Sequence, residues 1–421
     1  MQQFTLIFLA LVVARTVFQL WLSSRQIAHV CAHRHAVPTA FAASVTAEQH
    51  ALAADYTAAR QRLSMIETIV EAIAVVGLTI GGGIAAIAAL VGTAGFGPVV
   101  TQTMLVLGVL AALALLDLPF GLYRTFSIEQ RFGFNRSTLA LHLADLAKGL
   151  LLTLVLGGAI VAVVVALMTR LGDRWWIVAW LAWTTFTLLL TWAWPRLIAP
   201  LFNRFAPLDD ASLRSRIDAL LTRCGFRSNG LFVMDGSRRS AHGNAYFTGL
   251  GRNKRIVFFD TLLSTLAPDE VESVLAHELG HFRLRHVPQR LFVSLAGSFL
   301  GFALLGWLYG EPWFYTALGV STPGAGAALV LFLLVVPAFT WPLAPLGAAW
   351  SRRHEFQADD YAARHADSGA LATALVKLYR ENASTLTPDP LHSAWYDSHP
   401  PPAVRIARLV GMDARVARDR P

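Results

Sequence analysis

Apolar residues in this chain come in blocks. Seven stand out, roughly Phe4–Leu22, Ile69–Val91, Met104–Leu122, Gly149–Met168, Trp175–Trp194, Leu291–Leu308 and Ala325–Leu346. A hydrocarbon layer of ~30 Å takes about 20 apolar residues in helical form, since every backbone polar group must be satisfied internally there. Each block therefore predicts a membrane span. The first opens on Met1-Gln2-Gln3 without a basic leader and is followed by Arg25, which predicts a retained span rather than a cleaved signal. The last contains Pro337, Pro342 and Pro345, so its end is expected to kink or break. The organisation expected is 1–194 for the first five spans and their loops, 195–288 for a polar region, 289–348 for spans six and seven, and 349–421 for a polar C-terminal region.

Composition agrees with the blocks. Of 421 residues, 55% are hydrophobic and 15% charged, and the mean hydropathy is +0.50. Soluble domains carry about 25% charge, so disordered, collagen-like and coiled-coil classes are excluded and a soluble enzyme is disfavoured. Two cysteines, Cys31 and Cys224, cannot build a disulfide framework or a thiolate zinc site. The net charge of +8 is carried mostly by arginine, without a nucleic-acid-binding signature, and no nucleic-acid partner is expected. Its distribution instead sets topology. Arg25, Arg34, Arg60 and Arg62 follow span one and Arg124, Arg131 and Arg136 follow span three, whereas the links between spans two and three and between six and seven have no Lys or Arg. Only Arg170 and Arg174 run against this. The N-terminus is then expected outside and the large polar regions in the cytoplasm.

Three charges fall within or beside spans. Arg15, Glu71 and Asp117 either line a pathway or water-filled cavity, or lie near span ends with Arg15 snorkelling. Gly81-Gly82-Gly83 lies in an apolar span, where small residues permit close helix approach; with no Lys-Ser/Thr behind it, it is not a phosphate loop. His29, Cys31, His33 and His35 alternate, but a short His-rich tract is compositional and a metal site there would need an extended segment. Arg415, Arg418 and Arg420 read as a solvated tail near anionic lipid.

Between spans five and six the pattern turns globular. Asp209 and Asp210 can cap a helix with apolar positions Leu213, Ile217, Leu220, Leu221 and Cys224. Three short runs, Leu231–Met234, Ala245–Thr248 and Ile256–Phe259, are separated by glycines at 230, 236, 243, 249 and 251 and read as a small sheet. Pro268 fits the first turn of the next helix, with Asp269 and Glu270 at its positive end and Ala267 as a poor cap.

That helix carries chemistry. It contains His277-Glu278-Leu279-Gly280-His281, so His277 and His281 project from one face a turn apart and can reach one Zn²⁺. Glu278, displaced around the helix, can take a proton from an activated water without ligating. A catalytic zinc site needs a third protein ligand and an open position. Leu284 and Val287 occupy the places of a longer His-x-x-Gly-x-x-His pattern, and His286 is expected to point elsewhere, in a supporting or surface role. Glu355 is the better candidate, with Asp359 four residues on able to accept the N–H of a ligating histidine. Two spans separate His281 from Glu355, and an even number returns the chain to the same side.

At this point the sequence resembles the Ste24-type CAAX prenyl proteases, integral-membrane zinc metallopeptidases of the gluzincin group and peptidase family M48. The resemblance is carried by Ile128–Asn135, Pro200–Phe205, Gly243–Phe247, His277–His281, Glu355–Asp359 and Ser398–Pro401, in that order. It implies a mainly α, seven-helix transmembrane protein with a cytoplasmic zinc-metalloprotease domain containing a small sheet, and a water-filled chamber over the site. It implies one Zn²⁺ per chain, Asn244 and Ala245 as an edge segment pairing with an extended substrate, His399 as donor to the oxyanion, and Arg405 as its basic partner. Peptide or protein substrates, lipidated or membrane-associated, and membrane lipids are the partners expected. Two rivals to CAAX-type processing are quality control of membrane proteins and a non-hydrolytic zinc-binding transporter or scaffold. The Arg- and Ala-rich, Lys-poor composition points to a bacterial inner membrane, where prenylated substrates are not generally expected.

Overall fold

A computed structural model of the chain describes residues 2–226, 228, 230–248 and 255–418. Gly249, Gly251 and Arg420, and the side chains of Arg415 and Arg418, lie outside the described residues. Six helices are long and apolar enough to cross a membrane, and a bent pair supplies a seventh. In chain order the membrane part begins with α1 (Gln2–Ala32), α2 (Ala47–Leu78), α3 (Gly83–Gly92), α4 (Pro98–Glu129), α5 (Leu139–Arg170) and α6 (Gly172–Phe202).

Span two, expected over Ile69–Val91, is a bent pair: α2 and α3 meet at 57°. Gly82 has φ +81°, and a Cβ on Gly81 would lie 2.6 Å from the Gly77 carbonyl oxygen. Glycine is required there, and the triple glycine is a hinge. Hydropathy is blind to this because both arms are apolar.

The polar region then supplies strand β1 (Phe205–Pro207), helix α7 (Ala211–Arg223), strands β2 (Leu231–Met234), β3 (Ala245–Thr248) and β4 (Arg255–Phe259), and helices α8 (Asp260–Thr265) and α9 (Pro268–Arg283). The sheet has order β1-β2-β4-β3, with β2 and β4 parallel and the other pairs antiparallel. The three expected strands are present; β1 was not anticipated. Asp210 caps α7 through the Ser212 and Leu213 amides, and Leu213, Ile217, Leu220 and Leu221 are buried against the sheet and α9 as their spacing predicts.

The chain re-enters the membrane part as α10 (His286–Tyr309), makes a short α11 (Pro312–Thr316), and returns as α12 (Ala325–His365). The expected break at the prolines is a single 3₁₀ turn, Trp341–Leu343. Pro345 sits in the first turn of the helix that resumes, where its missing N–H costs nothing. Span seven therefore runs on without a loop into the segment carrying Glu355 and Asp359. Helices α13 (Ser368–Glu381), α14 (Pro390–Tyr396) and α15 (Pro402–Arg418) complete the fold.

Contacts run α1–α2–α4–α5–α6–α10–α12 and back to α1, closing a ring. Its apolar core, including Phe8, Val106, Val165, Trp175, Leu305 and Leu331, occupies the end remote from α9. Elsewhere the packing is looser, and Leu139–Leu152 of α5 contains no buried residue.

Candidate metal centre and cleft

Helix α9 starts where the sequence placed it. Pro268 is its first residue, and the weak cap at Ala267 is relieved by Glu270, whose carboxylate accepts the Ala267 N–H at 2.7 Å and the Lys377 ammonium at 2.7 Å. Its central turn lies directly on α12. A Cβ at Gly280 would stand 3.0 Å from the Ala358 Cα, so the glycine between the two histidines permits the close approach.

That contact brings three ligands together. The His277, His281 and Glu355 atoms lie within 4.8 Å of one another. The separations are 3.2 Å between the two Nε2 atoms, 3.5 Å from His277 Nε2 to Glu355 Oε2, and 3.3 Å from His281 Nε2 to Glu355 Oε1. Ligand atoms placed tetrahedrally at zinc distances of ~2.0–2.1 Å would stand about 3.3 Å apart, so the set fits zinc. Glu355 Oε2 is buried without a hydrogen-bond partner, the state expected of an atom kept for a cation.

The outer nitrogens are held as well. His277 Nδ1 is 2.9 Å from Asp359 Oδ1, and Arg405 meets both Asp359 oxygens at 2.8 Å. Asp359 is 0% and Arg405 4% exposed, so the pair is fully desolvated. Arg405 lies on α15 with its guanidinium turned onto Asp359 and 3.5 Å from Glu355. Burial and the Arg405 charge push the His277 pKa down, but the neighbouring Asp359 and Glu355 carboxylates prevail and carry it to about 9. A cation and a proton therefore compete for this imidazole.

His286 takes the supporting one of its two expected roles, and it turns toward the centre rather than away from it. The helix breaks at Arg285, whose φ of 59° is left-handed, and the turn resets the register. His286 Nδ1 then lies 3.0 Å from His281 Nδ1, and its Nε2 lies 3.0 Å from Gln357 Oε1. With His281 Nε2 facing a cation, its Nδ1–H donates to His286, which donates to Gln357. His354 stacks on the same ring at 3.9 Å. In the sequence Gln357 is visible only as part of the Glu355–Asp359 run.

The centre opens on a cleft of about 790 Å³ lined by Glu278, His399, Asn244 and Ala245, with Gln61, Glu67 and Arg124 from the membrane helices opposite. Burial pushes the Glu278 carboxyl above its ordinary range, against the pull of His277 and His281. His399 Nε2 is 3.5 Å from Glu355 Oε2. Strand β3 is an edge of the sheet among the described residues, and Asn244 precedes it, its carbonyl accepting the Phe259 N–H at 3.0 Å. The approach to β3 is clamped from two sides. Asn382 accepts the Gly243 N–H at 3.2 Å, and His242 stacks on Phe134 at 4.4 Å beside Glu129, which accepts the Tyr56 hydroxyl at 2.6 Å. The Ile128–Asn135 motif thus ties a membrane helix to the edge strand, a role no local signal reveals.

Of the other polar groups, Arg15 and Glu71 pair at 3.0 Å while Asp117 is exposed. The His29–His35 tract forms no metal-competent cluster; among the described residues the only such group is the one above.

Two imidazoles a helical turn apart, a carboxylate from the continuation of a candidate membrane span and a second glutamate beside them are the residue set of a metallopeptidase in a membrane protein. Comparison with known proteins gives the family. A family described as "CAAX prenyl protease N-terminal, five membrane helices" matches residues 26–204, and "Peptidase family M48" matches 207–413. The chain is 38% identical to the CAAX prenyl protease 1 homolog of Arabidopsis thaliana over 73% of each chain. It is 37% identical to CAAX prenyl protease 1 of Saccharomyces cerevisiae, over 74% of this chain and 72% of that one. The crystal structure of S. mikatae Ste24p superposes with a TM-score of 0.89 at 30% identity, covering 96% of this chain and 98% of the other. The chain belongs to the Ste24-type branch of peptidase family M48 and is a multi-pass membrane metalloprotease.

Proposed function

We propose that this protein is a zinc endopeptidase of the CAAX-processing type, cleaving extended segments of membrane-associated substrates. His277, His281 and Glu355 hold the metal. The observation that carries this is the convergence of two imidazoles and an orphaned buried carboxylate oxygen at tetrahedral spacing. Zinc bound there supplies Lewis acidity, polarising a scissile carbonyl and acidifying a water. Asp359, anchored by Arg405, fixes the His277 tautomer, and His286 does the same for His281. Glu278 accepts the proton of the attacking water and returns it to the leaving amine. His399 donates to the developing oxyanion. Asn244 and Ala245 align the substrate backbone by strand addition at the open edge of β3.

The N-terminus lies outside and the centre faces the cytoplasm, following the arginine distribution. The composition supports a bacterial inner membrane. The four-part division at residues 194, 288 and 348 is retained as the working organisation. Purified protein in nanodiscs should contain one zinc per chain by metal analysis and cleave a farnesylated CAAX peptide in a chelator-sensitive manner. Equal cleavage of the unprenylated peptide would replace the prenyl reading with general membrane-protein quality control. Absence of zinc from active protein would overturn the metal assignment.

A further inference from the structure

A second cleft, of about 510 Å³, lies between α2 and α4. It is lined by Arg62, Ile66, Phe120, Tyr123, Ser127 and Arg131 among others. Arg62 and Arg131 are both exposed, and neither has a carboxylate within ion-pair distance among the described residues. By contrast Arg124, on α4 with Arg131 beyond its end, is paired with Glu67. Arg131 lies over the Phe132 ring, 5.4 Å from its centroid, but neither charge is neutralised, and two such guanidinium groups in one cleft call for an anion.

The position says which kind. Span two was placed from Ile69 and span three up to Leu122, so the two arginines lie just beyond the apolar segments, on the side of the metal centre. From there an apolar track runs into the membrane part. Ile66, Ile69 and Ile73 are 53%, 43% and 66% exposed on one face of α2, and Leu115 and Leu116 are 69% and 45% exposed on α4. Tyr123, 54% exposed, stands at the junction with its amphipathic ring where such residues favour the interface. A cationic head of the cleft over an apolar tail matches a lipid rather than a free anion.

We propose that this cleft binds an anionic glycerophospholipid, its phosphate between Arg62 and Arg131 and one acyl chain along the exposed isoleucines of α2. The site has a structural neighbour of consequence. Ser127 and Arg131 belong to the segment leading through Glu129 and Phe134 to the β3 approach, so an occupied cleft braces the same motif that positions the edge strand.

Native mass spectrometry of the full chain, with phosphatidylglycerol or phosphatidylcholine added at equal concentration, tests this. Phosphatidylglycerol should be retained as one adduct per chain, with a preference over phosphatidylcholine of about thirtyfold, from ~1 kcal/mol per arginine at a membrane surface. The preference should vanish in R62Q/R131Q and survive in R62K/R131K, both checked for metal content and monodispersity. Equal retention of the two lipids, or an undiminished preference in R62Q/R131Q, would overturn the proposal.

Discussion

Around the proposed metal ligands, Asp359 and Ala358 are wholly buried, Gly280 admits the α12 backbone to van der Waals contact, and the outer nitrogen of each of the two histidines has a named partner. Parts of the membrane helices are built otherwise: Leu139–Leu152 buries nothing, and Leu146, Leu150 and Leu189 are exposed. The same helices are packed at their remote ends, where Val165 and Leu331 are 0% exposed. A metal site needs ligands held to tenths of an ångström, and close packing plus a satisfied hydrogen-bond layer provides that. A roof that must admit a peptide needs space instead. On the proposed function, the bundle gains its cohesion at the end remote from the substrate, and the other end is free to stay open.

The contrast can be broken most severely at Arg405. Arg405→Leu strips the buried Asp359 of its counter-charge and should cost about 3–5 kcal/mol. Thermal unfolding in detergent, followed by tryptophan fluorescence, measures it; an unchanged midpoint would mean that the pair is not structural. His286→Ala removes only the support behind His281 and should weaken metal affinity by about 10–100-fold, read by competition with a chelator. A pH profile is subtler. Glu278 is useful only when ionised and its burial raises the pKa, so kcat/KM should fall with decreasing pH from a point above 4.5, the value of an unperturbed glutamate. Metal content at each pH separates this loss from protonation of the ligands.

The smallest effects concern the membrane part. Leu331→Ala should lower the unfolding midpoint measurably, though by less than the ~2–5 kcal/mol of a soluble core, because in lipid only the cavity cost remains. Leu146→Ala should shift it by no more than about 0.5 kcal/mol. Equal effects would erase the distinction between packed and open ends.

How far this could be read from the residues follows from which interactions are local. Apolar block length gave the spans, the apolar spacing gave α7, and Pro268 gave the start of α9. The parity of the spans alone returned Glu355 to the side of His277. What escaped was set by tertiary geometry. The hinge at Gly81–Gly83 lies between two apolar arms and depends on one left-handed glycine. His286 was assigned by continuing the helical wheel of α9, but the left-handed Arg285 restarts the count. The clamp of Asn382 and Glu129 on the β3 approach joins residues far apart in sequence, and β1 is a three-residue strand that exists only by pairing with β2.

The central claim is that Glu278 performs proton transfer beside a metal held by others. Glu278→Gln, purified in nanodiscs, tests it when metal content and peptide cleavage are measured on the same sample. The account predicts an unchanged metal stoichiometry with kcat/KM reduced by about 10²–10⁴-fold. Cleavage near the wild-type rate with the metal in place would contradict it.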